Sequence, residues 1–142
     1  MQTLLRVLFL ELPWKDRVHH WRRLEGFANR VDTLFESLPP CVTVLDAYCC
    51  FLYTIGEQSL PHSFIVIANR LQAGDARQML SKDNTVFYLE SLLRRFVYSK
   101  PLRLKSNAEI RSAVLTILTQ LVDSGSSAAY RMRDDFVTPL AH

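Results

Sequence analysis

Residues 106–125 read SNAEIRSAVLTILTQLVDSG, and this stretch decides the fold. Ser106 followed three residues later by Glu109 matches a capping box, in which the Ser106 hydroxyl accepts from the Glu109 amide while Glu109 reaches back to the Ser106 amide. Ile110, Ala113, Val114, Ile117, Leu118, Leu121 and Val122 then recur in steps of three and one, which puts them on one helical face. Gly125 closes the helix. Downstream, Gly125-Ser126-Ser127 reads as a helix stop followed by a cap, and a last helix is expected over Ser127–Val137 with Ala128, Ala129, Met132 and Phe136 as its apolar side.

The same reading extends upstream. A helix is predicted from about Asn84 to Tyr98, with Val86, Leu89, Leu92, Leu93 and Phe96 inward and Glu90, Arg94 and Arg95 outward. Ala76–Leu80 makes a short turn. Pro61–Gln72 starts on a proline tolerated in a first turn and ends before Gly74, with Phe64, Ile65, Ile67, Ala68 and Leu71 as its buried face. A strand over Ser63–Ile67 competes on propensity, but the continuation through Ala68 to Gln72 favours helix. Cys41–Ile55 is apolar almost all round, with Asp46 its only charge and Gly56 placed for a left-handed C-terminal residue. Before Pro39-Pro40, Trp14, Val18, Trp21, Leu24, Ala28, Val31, Phe35 and Leu38 form one stripe at steps of three and four, interrupted in composition by Gly26. Thr3–Leu12 is a short apolar segment. No strand-like alternation of comparable length exists, so the chain is expected to be all-α.

A chain of 142 residues that is 49% hydrophobic holds one ordinary core, and residues 1–142 are expected to form a single helical domain. The apolar share and balanced charge exclude intrinsic disorder. Three cysteines, Cys41, Cys49 and Cys50, are an odd number without a secretory signature, which points to a reducing compartment, nuclear or cytoplasmic. The N-terminus resembles a signal peptide superficially, but Arg6 and Glu11 interrupt it and Pro13-Trp14-Lys15 is no cleavage site. Cys41–Ile55 is too short for a bilayer and carries Asp46, so no membrane span is expected.

Short connections, about two to eight residues, make consecutive helices antiparallel neighbours. The central pair, Cys41–Ile55 and Pro61–Gln72, is too apolar to face water and needs layers on both sides. The apolar start without a cap reads either as a boundary inside something larger or as a true start. Leu89, Leu92, Ile110, Val114, Ile117, Leu118 and Leu121, followed by the small Gly125-Ser-Ser-Ala-Ala turn, resemble helical repeats of the HEAT or armadillo kind. No internal repeat of constant period is present in the sequence. A slighter likeness, around Ile110 to Phe136, is to the repeat-built vertebrate proteins needed for meiotic double-strand-break formation. The resemblance implies antiparallel helix pairs in a HEAT/armadillo-like stack of about seven helices, and a scaffold that binds protein or nucleic acid on an extended surface.

Catalytic chemistry finds no support. Cys41, Cys49, Cys50 and His62 could supply four metal ligands, but no Cys-x-x-Cys pair exists and Cys49 and Cys50 point to different sides of a helix, so core packing is expected for these cysteines and no metal. His19-His20 read as solvated surface. There is no Gly-x-Ser-x-Gly elbow and no phosphate-cradling glycine loop. Asp134-Asp135 diverge on a helix, and with Arg131 and Arg133 they read as surface ion pairs. No enzyme activity, cofactor or small-molecule substrate is expected.

One segment has functional content. Arg94, Arg95, Lys100, Arg103, Lys105 and Arg111 stand against Glu109 alone, so residues 94–111 carry +5 while the whole chain carries +3. Phe96 and Tyr98 lie among them. Around a loop between two helices, this charge suits an acidic protein partner or nucleic-acid phosphates, and the competing reading is a solvated loop with Phe96 in the core. A protein partner is the expected class, with nucleic acid the alternative. Trp14 and Trp21 with Arg22-Arg23 form a second candidate surface, weighed against a core role on their stripe.

Overall fold

The computed structural model describes residues 33, 35–55 and 60–138. The expectations for Thr3–Leu12, for most of the Trp14–Leu38 stripe with Trp14, Trp21, Arg22-Arg23 and His19-His20, and for Gly56 lie outside the described residues. Every regular element among the described residues is helical: α1 (Val42–Ile55), α2 (Leu60–Ala73), α3 (Ala76–Met79), α4 (Asp83–Val97), α5 (Lys100–Leu104), α6 (Ala108–Asp123) and α7 (Ser127–Val137). The strand alternative for Ser63–Ile67 is thereby settled, since these residues lie inside α2.

The helix ends follow local chemistry. The Asp75 side chain caps α3 by accepting from the Arg77 and Gln78 amides. Gly125 adopts φ +97 behind α6, a left-handed conformation that glycine reaches without steric cost. The amides of Ser124, Gly125 and Ser126 return to the carbonyls of Gln120, Leu121 and Val122. Ser126 then caps α7 by accepting from the Ala129 amide at 3.0 Å, as the stop-then-cap reading expects.

The start of α6 differs from the capping-box reading. Its N-cap is Asn107, extended at φ −105 and ψ 179, whose Oδ1 accepts from the Ile110 amide at 2.9 Å. The Ser106 hydroxyl instead donates to the Arg103 carbonyl at 2.6 Å. Ser106 is thus taken by the end of α5, a helix that the sequence reading has as loop.

The core joins residues from all the longer helices, among them Phe35, Tyr48, Phe51, Phe64, Leu71, Leu92, Phe96, Ile117, Leu121 and Phe136. Its hydrophobic stripes are nearly those predicted. On α2, however, Val66 is fully buried and Ile65 only partly. The helix meets α6, α1 and α3 and so buries more than one face. Cys49 and Cys50 are in the core, but Cys41 is exposed just ahead of α1, so the core expectation holds for two of the three cysteines. Gly74 permits a close approach: a Cβ there would lie 2.8 Å from the Pro40 carbonyl oxygen.

Packing partners are set less by sequence adjacency than expected. α1 packs on α4, α4 on α7, α2 on α6, and among the described helices only α6 and α7 form a strongly packed consecutive pair, across the tight Ser124–Ser126 turn. The short helices α3 and α5 lengthen the connections before α4 and α6, which lets each of these pass to a more distant neighbour. α1 and α4 run parallel, because the Thr85 hydroxyl meets Asp46 near the start of both while Tyr53 meets Tyr88 and Arg95 further along. α4 and α7 also run parallel: Glu90, midway along α4, meets Ser126 at the start of α7, and further along Phe96 meets Phe136 and Tyr98 meets Asp135. One layer is therefore α1–α4–α7, and α2–α6 form a second, joined to the first by the Phe64–Phe96 edge contact at 5.4 Å.

Candidate interaction surface

The six basic residues lie where α4 ends, α5 crosses and α6 begins. Arg94 and Arg95 occupy the last turn of α4, where a cation complements the carbonyl end of the helix dipole. Lys100 and Arg103 are on α5, Lys105 is its C-cap, and Arg111 follows the first residues of α6. α5 forms because Ser99 accepts from the Leu102 amide at 3.3 Å and Pro101 sits in its first turn, where its missing N–H costs nothing.

These residues do not share one role. Arg103 is half-buried and ties three elements together. Its Nη2 donates to the Phe136 carbonyl of α7 at 3.1 Å, its Nη1 approaches the Val97 carbonyl of α4 at 3.4 Å, and its guanidinium stands 5.0 Å from the Phe136 ring centre. It neutralises the carbonyl ends of two helices and holds α5 in place. Arg95 lies over the Tyr53 ring at 5.6 Å and faces α1. Arg94, Lys100, Lys105 and Arg111 are exposed around α5.

Apolar side chains stand among these cations. Leu104 is 75% exposed, Val137 57% and Tyr98 54%. The Tyr98 hydroxyl donates to the Asp135 carboxylate, which links the end of α4 to α7. That hydrogen bond to a carboxylate raises the Tyr98 pKa above its ordinary value, with Arg94 and Arg131 nearby working the other way. Asp135 thus accepts from a tyrosine, and Arg133 lies over the Tyr130 ring at 5.6 Å. Phe96 is fully buried, as the core reading of that residue has it. Leu104 and Val137 were not legible as surface residues. The only signal for Leu104 is its place between Arg103 and Lys105 beyond a helix-starting proline.

The opposite ends of α4, α6 and α7 enclose a cleft of about 690 Å³, lined by residues that include Arg77, Asp83, Glu90, Asp123 and Ser124. Within it the Ser126 hydroxyl donates to Glu90 at 2.8 Å. Between α1 and α4, Asp46 accepts from the fully buried Thr85 hydroxyl at 2.8 Å. Burial, with Asp46 and Cys50 nearby, pushes the Cys49 thiol up, so Cys49 stays protonated and a poor nucleophile. Burial and a hydrogen bond to Cys50 likewise raise Tyr88.

Among the described residues no three His, Cys, Asp or Glu side chains gather as a metal-holding group, and His62 is exposed on α2. No helix among them is long and apolar enough to cross a membrane. Set beside known proteins, the chain matches no family model, no curated protein and no solved structure.

Proposed function

We propose that this chain is a non-catalytic helical-repeat adaptor that binds a protein partner through the α5 end of the fold. The observation that carries this reading is Leu104, 75% exposed on a short helix that Arg103 anchors, with Lys100 and Lys105 beside it. A leucine held out in water beside exposed cations suits an acidic partner with an apolar contact. The apolar contact supplies affinity and the charges supply encounter rate and orientation. Nucleic acid would use the same cations but has little need of Leu104 or Val137.

The repeat reading is supported by the parallel register of α1, α4 and α7. Hydrogen-bonded partners in successive helices are 39, 36 and 37 residues apart. These two steps, 39 residues from α1 to α4 and 36 to 37 from α4 to α7, fall just short of the HEAT and armadillo period of about 40–47 residues. Stacking of like helices on like, α1 on α4 on α7 and α2 on α6, is the packing such repeats use.

A photo-crosslinking amino acid at position 104, with one at exposed Gln72 on α2 as control, tests the reading in cells. A discrete protein adduct is expected at 104 alone, and Lys100→Glu with Lys105→Glu should abolish it. Adducts that nuclease removes would replace the protein partner with nucleic acid. Equal adducts at 104 and 72, or none, would overturn both readings.

A further inference from the structure

We infer that this chain associates with further copies of itself head to tail, the α5 end of one copy seating in the α4–α6–α7 cleft of the next. This rests on reading the α5 end as a protein-binding surface and names its partner.

The fold is electrically poled. α4 and α7 run from the cleft to the α5 end, and α6 runs back, so the same three helices carry both ends. At the cleft, three carboxylates, Asp83, Glu90 and Asp123, face one guanidinium, Arg77. Asp75 and Lys82 stand next to lining residues in the chain and offset each other. At the other end Arg94, Lys100, Lys105 and Arg111 are exposed, and Glu109 and the Tyr98-bound Asp135 offset part of that charge and leave a positive surplus. The cleft also has an apolar floor, formed by Leu80, Val86, Leu121 and Ala128, onto which a leucine can dock. Leu104 is the most exposed large hydrophobic residue among those described, and it sits between cations.

The two ends cannot satisfy each other within one molecule. The 15 residues of α4 separate them by about 22 Å, and Arg103 pins α5 to α4 and α7. The complement of each end is therefore the opposite end of another copy. Such a contact is heterologous and leaves a cleft and an α5 end unused at the two extremities, so assembly is open-ended and grows with concentration. Because exposed charges bring the surfaces together, salt weakens it.

Sedimentation velocity at low and high salt tests this. The wild-type chain should show species larger than monomer whose size grows with concentration at low salt and falls towards monomer at high salt. Lys100→Glu with Lys105→Glu disables the α5 end, and Asp83→Lys with Asp123→Lys disables the cleft. Each double variant alone should sediment as monomer while keeping the wild-type circular dichroism spectrum and melting temperature. Mixed in equal amounts, they complement each other at both contacts, the native α5 end in the native cleft and the Glu-bearing α5 end in the Lys-bearing cleft, so the mixture should regain assembly that grows with concentration. A wild-type chain that stays monomeric at low salt overturns the inference, as does a mixture that stays monomeric or charge variants that assemble like the wild type. If the wild type is monomeric while position 104 still crosslinks a different protein, self-association falls and the adaptor reading stands; if it crosslinks nothing, both fall.

Discussion

Replacing Arg103 by alanine separates the residues that build the α5 end from those that present it. The substitution removes a charged donor from the Phe136 carbonyl at 3.1 Å, a longer contact to the Val97 carbonyl at 3.4 Å, and a cation over the Phe136 ring at 5.0 Å. A hydrogen bond from a charged group contributes about 1.5–3 kcal/mol, and partial exposure puts this one at the lower end. The ring contact adds about 0.5–1 kcal/mol, and the 3.4 Å contact adds little. Arg103→Ala should therefore destabilise the fold by about 2–3 kcal/mol. Arg103→Lys keeps the charge near the helix carbonyls but loses the planar fork that reaches both α4 and α7, so about half that loss is expected. Lys100→Ala and Lys105→Ala, both exposed, should stay within about 0.5 kcal/mol of wild type. Urea unfolding followed by circular dichroism measures all four. A loss under about 0.5 kcal/mol for Arg103→Ala, or a loss at Lys105 equal to that at Arg103, would refute the assignment of Arg103 as the anchor.

Three other outcomes follow from the geometry. Asn107→Ala should cost about 1 kcal/mol in urea unfolding and Asn107→Asp little; a neutral Asn107→Ala would return the α6 cap to Ser106. Gly74→Ala should lower stability by about 1–3 kcal/mol, because its Cβ would meet the Pro40 carbonyl at 2.8 Å, and an unchanged urea midpoint would contradict that approach. Cys49, Tyr88 and Tyr98 are all raised in the fold above their ordinary 9.0, 10.0 and 10.0. Their protonated forms therefore stabilise the native state in full below the ordinary values, and this is lost as pH rises through the raised ones. Stability should fall above about pH 9–10, and Tyr98→Phe should flatten part of that fall; an identical alkaline slope in Tyr98→Phe would contradict the Tyr98–Asp135 link.

Much of the fold is legible because helices announce themselves locally. The stripe from Ile110 to Leu121 and the Gly125-Ser126 stop and cap lie within a few residues of the structure they specify. Ser106 and Asn107 are both good capping residues side by side, and the choice between them depends on the Arg103 carbonyl, which becomes an acceptor only once α5 has formed. Five residues around a proline, Lys100–Leu104, are too short for a periodic signal, so α5 read as loop. The charge of residues 94–111 was visible, but its division was not: Arg103 differs from Lys105 through carbonyls of Val97 and Phe136 that tertiary packing brings to it. The cleft was not legible, since Asp83, Glu90 and Asp123 are scattered along the chain and meet only through the parallel register of α4 and α7 and the return of α6. That register is written in single pairs such as Asp46–Thr85 and Glu90–Ser126, which no local pattern marks.

The central claim is that partners are bound by the α5 end. Amide hydrogen exchange, on the chain alone and with the protein captured by crosslinking at position 104, tests it most directly. Slowed exchange should concentrate at Val97–Lys105 and at the end of α7, residues 135–138, and also at the α4–α6–α7 cleft where the captured protein is a second copy, with α2 unchanged. Protection confined to α2, with α5 exchanging as it does alone, would contradict it.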